Sequence, residues 1–385
     1  MLPIEELPVF DESSHQRTNF FLPTEVIFEI LSRLPVKSLL KFKSVSKSWL
    51  SLISSPEFIK SHLNLSANNK EYTNHRLMLR ISQPEYNLKE CPLKSLFYDE
   101  YVIEESNLED YPMKNSSISF SIEGSVNGLI CLATEEKELF LWNPSIRKYK
   151  RLPDFRTKFM NANCFTYGFG YDEIHSDYKI VRVFNLWKDF EVNIYSLKND
   201  SWRRIDCSHN VVGLTNSGKF VNGKLHWATT THLGFKEGWS ITSFDLADEK
   251  WRKVERPYYG EEGDGILMLG VLGSDLCMIC NNPTTNQVDV WAMKEYGVKE
   301  SWIKMFTVDY TLGFVDYFYS QSYCFAKRDH ELLLMFESTF MVCNTKDNSI
   351  IYPQSRKFDF GLSAEIYIQS LVCPLSQIDL RIQQE

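Results

Sequence analysis

The strongest constraint on this chain is a hairpin pattern that recurs about every 50 residues. An aromatic residue, a polar turn and a second aromatic seven positions on occur as Trp142…Tyr149, Tyr195…Trp202 and Phe244…Trp251. Trp291…Trp302 is the same with four extra residues, and Cys343…Ile350 is a degenerate fifth copy. The second anchors, Tyr149, Trp202, Trp251, Trp302 and Ile350, are spaced 53, 49, 51 and 48. A second hairpin pattern alternates with the first. It reads Ser125-Val-Asn-Gly-Leu-Ile, Gly168-Phe-Gly-Tyr-Asp, Phe220-Val-Asn-Gly-Lys-Leu-His-Trp, Leu267–Cys280 and Tyr323–Phe336. Asn222-Gly223 is a dipeptide that tolerates positive φ at both positions of a tight turn. Short Val/Ile/Phe/Tyr-rich runs between turn residues are the mark of strands.

Two hairpins per unit make four strands, and four strands at a period near 50 predict a kelch-like β-propeller of about six blades over residues 73–375. Five copies are clear. The sixth is expected to join Arg76–Ile81 to the run Ile366–Cys373, which removes the ring's exposed edge. Five or seven blades, or a stacked sandwich, also accommodate the pattern.

The first sixty residues have a different period. Ile27, Ile30, Leu31 and Leu34 fall on one face of a helix. Pro23 stands where a helix starts and Pro35 where it must end. A second short helix carries Val36, Leu39 and Leu40. A third carries Val45, Trp49, Leu52 and Ile53, and Pro56 closes the unit. Three helices this short cannot bury their apolar surface alone, so they need a partner or the rest of the chain. The division read from the sequence is an acidic N-terminal segment at 1–20, the helical unit at 21–60, a polar linker at 61–72, the β domain at 73–375 and a tail at 376–385.

Leu22-Pro23-x-Glu25, Leu34-Pro35-Val36-Lys37-Ser38-Leu39-Leu40, Val45-Ser46-Lys47-Ser48-Trp49 and Ser54-Ser55-Pro56-x-Phe58 resemble an F-box. Many F-boxes have Cys or Arg near Ser46, so the match departs there. Leu141-Trp142-Asn143-Pro144-Ser145, Tyr167-Gly168-Phe169-Gly170-Tyr171-Asp172, Asn222-Gly223-Lys224-Leu225-His226-Trp227 and Val290-Trp291-Ala292-Met293-Lys294-Glu295-Tyr296-Gly297 resemble the plant F-box-associated interaction domain. The Gly-Gly doublet of kelch blades is absent. Together these motifs are similar to the CPR and S-locus F-box-like family. That resemblance implies a helical hook on a Skp-type adaptor, and through it the cullin and RING subunits of an SCF ubiquitin ligase. The propeller would then hold a protein for ubiquitination and proteasomal degradation. It implies adaptor contact by Leu22, Pro23, Leu34, Pro35, Leu39, Leu40 and Trp49. Residues 21–60 carry six Lys/Arg against three Asp/Glu. Lys37, Lys41, Lys43 and Lys47 would be steered toward an acidic adaptor. The S-locus branch, which recognises secreted ribonucleases in self-incompatibility, fits the same motifs. A propeller lectin or hydrolase with an incidental helical N-terminus is the alternative from another class.

In a four-stranded blade both hairpin turns lie on one face and the connections on the other. Here the connections are longer and rich in aromatics, and recognition concentrates in such loops on a rigid scaffold. Trp187, Phe190, Phe235, Trp239, Tyr258, Tyr259, Phe314 and Tyr317 are the candidate target contacts. Of nine tryptophans, Trp187 and Trp239 alone fall in the long connections.

Other functions find little support. A net charge of −8 argues against nucleic acid. The chain opens without a basic, then apolar, leader pattern, and no apolar stretch approaches the ~18 residues of a membrane span. Nine scattered cysteines, an odd number, suit reduced thiols in the cytoplasm or nucleus. Cys277-Met-Ile-Cys280 has metal-like spacing but no second pair, and apolar residues fill it. His175 and His226 read as turn or packing residues. No phosphate-binding glycine loop or nucleophile elbow is present. No cofactor, metal or catalytic residue is expected.

Overall fold

The computed structural model describes residues 22–81, 86–98, 106–108, 111–113, 118–155, 165–186, 189–206, 214–230, 239–257, 267–282, 287–309, 322–328, 330–336, 339–352 and 363–375. The expected segments 1–20 and 376–385 lie outside them.

Among the described residues four helices come first, one more than the sequence pattern predicts: α1 Thr24–Ser32, α2 Val36–Phe42, α3 Lys47–Ser54 and α4 Pro56–Ala67. Pro23 and Pro35 stand at the N-caps of α1 and α2. Ser46 caps α3 by accepting from the Trp49 N–H, and Ser55 caps α4 by accepting from the Phe58 N–H. Pro56 therefore opens a helix instead of closing the unit. A serine cap followed by proline at the first helical position is a start signal, because proline's missing N–H needs no partner there. The linker expected at 61–72 begins inside α4.

Leu31, Val36, Leu39, Ile53 and Phe58 form the buried centre of this unit, with Phe28 edge-on to Phe58 at 5.2 Å. Leu371 and Ile146 complete it from the other domain. His62 reaches the Leu34 carbonyl at 2.9 Å, locking α4 against the end of α1.

Six antiparallel meanders follow, with a short helix α5 (Ser95–Tyr98) after the first hairpin. The strands are β1 (His75–Ile81), β2 (Asn87–Pro92) and β3 (Ser106–Asn107); β4 (Phe120–Val126), β5 (Leu129–Thr134), β6 (Leu139–Asn143) and β7 (Lys148–Arg151); β8 (Phe165–Asp172), β9 (Asp177–Leu186), β10 (Asp189–Ser196) and β11 (Ser201–Ile205). Next come β12 (Thr215–Val221), β13 (Lys224–Thr230), β14 (Trp239–Asp245) and β15 (Trp251–Val254); β16 (Leu267–Leu272), β17 (Asp275–Asn282), β18 (Gln287–Met293) and β19 (Trp302–Asp309). The last are β20 (Ser322–Arg328), β21 (Glu331–Phe336), β22 (Thr339–Asn344) and β23 (Ile350–Ile351), then β24 (Ser363–Ile368). β24 pairs with β1, Leu77 facing Ile366, so both ends of the β domain share one sheet as the sequence predicts. The inner strands lie side by side in the order β24, β4, β8, β12, β16, β20. Leu77 and Leu79 close the arrangement against Leu333, Met335 and Phe340. The result is propeller-like.

The repeat anchors are direct cross-strand pairs: Trp142 with Tyr149, Tyr195 with Trp202, Phe244 with Trp251 and Cys343 with Ile350. The fourth copy differs from its expected pairing. Trp302 faces Met293, and Trp291 faces Lys304, because a bulge at Val290/Trp291 and a 3-10 turn at Lys299–Ser301 absorb the extra residues. The parallel ladder between β8 and β12 has a single registered pair, Gly168 with Gly218. A Cβ at Gly218 would stand 2.5 Å from the Trp227 ring, so glycine is required for that close approach.

Candidate functional site

The helical unit packs on the hairpin-turn face of the β domain. Ile146, in the turn between β6 and β7, enters the helical core. Asn127 and Gly128, in the turn between β4 and β5, meet Ser370. The opposite ends of these strands, where the described chain leaves one meander and enters the next, therefore lie on the face away from the helices.

With its inner side committed to Leu371 and Ile146, the helical unit leaves another apolar set in solvent. Leu22, Val26 and Ile30 are 58%, 41% and 50% exposed, and they recur at four-residue intervals along α1 and its entry. Four-residue spacing places them in one row on the helix. Leu40, Val45 and Leu50 are also exposed. Lys37, Lys41 and Lys47 are exposed in the same unit.

Of the residues expected at adaptor contact, Leu22, Pro23, Pro35 and Leu40 are exposed. Leu34 is half-buried against the core. Trp49 is half-buried and edge-on to Phe42 at 5.5 Å. Leu39 is fully buried, and this corrects the expectation: it is a core residue and offers no contact surface. Val26, Ile30, Val45 and Leu50, which are not in the expected set, are exposed apolar residues as well. The signal was present for Ile30, but the periodicity grouped it with Leu31, and the helix in fact turns Leu31 inward and Ile30 outward.

Among the expected target contacts, Trp187, Phe235, Tyr258, Tyr259, Phe314 and Tyr317 lie outside the described residues. Phe190 is half-buried in β10, its ring 6.3 Å from Trp251. Trp239 is a correction. It begins β14 and is buried with Ile241, Val254 and Leu267, because strand alternation puts it on the same side as Ile241. Its indole faces the core.

A cavity of about 200 Å³ occupies the middle of the ring, lined in part by Gly124, Phe169, Gly218, Phe220 and Gly270. Lys219 and Glu365 approach to 3.7 Å there, and burial raises the Glu365 pKa.

The cysteine and histidine motifs are structural. Cys277 and Cys280 lie on opposite faces of β17, in two different cores, so they do not converge on one ion. Burial pushes the Cys280 thiol up to about 12. His226 is enclosed between the Lys219 carbonyl (3.1 Å) and the Tyr296 hydroxyl (2.8 Å), and burial lowers it to about 4. His175 meets the Asp172 carboxylate in the turn after β8.

Comparison with known proteins agrees with this architecture. A family profile described as the F-box domain matches residues 21–61, and one described as the F-box associated beta propeller domain matches residues 85–374. An F-box/kelch-repeat protein of Arabidopsis thaliana is 32% identical over 366 residues, covering 92% of this chain and 96% of that protein. The F-box protein CPR1 of the same plant is 30% identical, covering 94% and 92%. Among solved structures, TolB from Acinetobacter baumannii aligns with a TM-score of 0.48 at 9% identity, covering 82% of this chain and 73% of that one. The chain belongs to the plant F-box proteins that carry an F-box-associated β-propeller domain.

Proposed function

We propose that this protein is the substrate receptor of an SCF-type ubiquitin ligase, its helices held by a Skp-type adaptor and its propeller, read as six-bladed, holding a target protein. The observation that carries this reading is the exposed row Leu22, Val26 and Ile30, left over after the helical core is complete. An apolar row of this kind on a small helical unit suits a partner groove. The exposed Lys37, Lys41 and Lys47 suit an acidic one. No side chain of this chain takes part in ubiquitin chemistry in this reading, and any rate gain comes from proximity. The target sits on the connection face, away from the adaptor, in the cytoplasm or nucleus.

The test is co-purification of the full chain with a Skp-type adaptor. Val26→Asp with Ile30→Asp is expected to abolish it while circular dichroism stays unchanged, because both positions already face water. Retained adaptor binding by that folded double variant would overturn the reading. Affinity capture under proteasome blockade, followed by mass spectrometry, identifies the target.

A further inference from the structure

We propose that the cavity in the middle of the ring is a binding site for a small neutral polyol, a hydroxyl-bearing ring of monosaccharide size that lies on the ion pair of Lys219 and Glu365. This site is separate from the adaptor and target surfaces of the ligase reading and does not depend on it.

Lys219 lies in β12 and Glu365 in β24. In the order β24, β4, β8, β12, β16, β20 these two strands stand on opposite sides of the ring. The pair, 3.7 Å from Nζ to Oε2, therefore crosses the ring's axis. The two side chains are 15% and 21% accessible. Burial nevertheless raises the Glu365 pKa. Their accessible surface thus opens onto an enclosed space, the cavity of about 200 Å³ that both residues line. Asn127 and Gly273, in the β4–β5 and β16–β17 turns, line it too, as does Tyr72 in the link from α4 to β1. The cavity lies toward the helical unit, and an occupant touches both the propeller and the segment that joins it to the helices.

Size sets the first limit on the ligand. A cavity of about 150 Å³ admits benzene, so this one has room for a six-membered ring with substituents. The ion pair sets the charge. A cationic ligand would displace Lys219 from Glu365, and an anionic one would displace Glu365 from Lys219. Either leaves a charge unpaired in an enclosed place, which is costly. A neutral ligand keeps the pair intact. Adjacent hydroxyls can accept from the Lys219 ammonium and donate to the Glu365 carboxylate at once. The remaining wall is of two kinds. β4, β16 and β24 are outermost strands of their sheets. On the side turned to the ring's interior their backbone N–H and C=O groups have no ladder partner among the described residues, and Gly124 and Gly270 carry no side chain to cover that backbone. Phe220, Val271, Ile366 and Ile368 supply apolar surface. Hydroxyls, which both donate and accept, suit the first kind, and the C–H face of a saturated ring suits the second. The two together favour a polyol over an apolar ring with one polar head.

The test is a titration of the full chain, ¹³C-labelled at the isoleucine δ1 methyls and followed by NMR. The probes are D-glucose, myo-inositol, benzamide, benzoate and benzylamine at matched pH and ionic strength. Glucose or myo-inositol is expected to shift the Ile366 and Ile368 methyls saturably, and the two charged probes to leave them unmoved. Lys219→Met combined with Glu365→Gln keeps the volume of both side chains and removes both charges together. That variant should bind the polyol about tenfold more weakly, having lost charge-assisted hydrogen bonds, while circular dichroism stays unchanged. The wild-type titration decides the matter by itself where the variant does not fold. Absence of saturable shifts with both polyols would overturn the proposal, as would undiminished polyol affinity in the folded variant. Tighter binding of benzoate or benzylamine would overturn the neutral assignment, and a response to benzamide alone would overturn the polyol. None of these readouts involves the adaptor, so loss of the ligase reading would leave them standing.

Discussion

The side-chain amide of Asn143 donates to the carbonyl oxygen of Val372 at 2.8 Å, joining the end of β6 to a segment 229 residues away. The same nitrogen lies 3.1 Å from the Ser370 carbonyl, and between these two acceptors Leu371 turns into the helical core. One asparagine thus holds the strand that closes the ring and the residue that seats the F-box. Asn143→Ala leaves these buried acceptors without a donor and is expected to cost about 1–3 kcal/mol. Thermal unfolding of the full chain checks it; an unchanged midpoint would count against the clasp.

Leu371→Ala should open a cavity beneath Phe58 and Ile53. The expected loss is about 2–5 kcal/mol, felt first where the helices meet the propeller. Limited proteolysis should then cut between α4 and β1 well before the propeller degrades. Simultaneous loss of both domains would indicate that Leu371 does not govern the junction.

Trp202 and Trp302 do the same task two meanders apart. Their indole N–H groups donate to the carbonyls of Pro153 (2.8 Å) and Glu255 (3.0 Å), each just past the end of the preceding meander. Trp302→Phe keeps most of the ring and removes the donor. It should cost about 0.5–1.5 kcal/mol, measured as a lower denaturation midpoint with an unchanged denaturant slope.

His226 gives the fold an acid limit. Burial lowers its pKa from 6.5 to about 4, so the native ring stays neutral while the unfolded ring protonates. Its neutral packing is fully stabilising above pH 6.5. Stability then falls as pH drops from 6.5 toward 4, by about 1.4 kcal/mol per unit at most. His75, also lowered to about 4 by burial, acts in the same direction. His226→Gln should flatten the slope of melting temperature against pH in that window. An identical slope would assign the acid sensitivity to other groups.

Cys280 and Cys343, whose thiols burial pushes up to about 12, should resist alkylation in the native protein at pH 8 and react only after unfolding. Iodoacetamide labelling with mass spectrometry distinguishes this from reactive or metal-binding thiols, and prompt native labelling of Cys280 would refute it.

Much of the architecture was legible because its signals are local. A strand alternates every two residues and a hairpin turn needs particular residue types, so the spacing of Tyr149, Trp202, Trp251 and Ile350 identified real cross-strand pairs. The same reasoning went wrong at Trp291. A bulge is one extra residue, and nothing in the local pattern separates it from a longer turn. The fourth helix escapes the periodicity because Pro56 ends one helical run and, with Ser55 as its cap, also starts the next.

The candidate surfaces were less legible. Apolar periodicity marks a helix but does not say which of two apolar rows faces inward, so Leu39 was assigned to contact and Val26 was passed over. Trp239 looked like a loop residue because β14 starts at that very position. From the sequence alone came the strand repeat, the helical unit and the F-box motifs, since each rests on neighbours within about a dozen residues. The tertiary structure decided the outward row Leu22, Val26 and Ile30 and the burial of Trp239. Each of those depends on which distant residues arrive to cover a side chain, as Leu371 does for the helices and Leu267 does for Trp239.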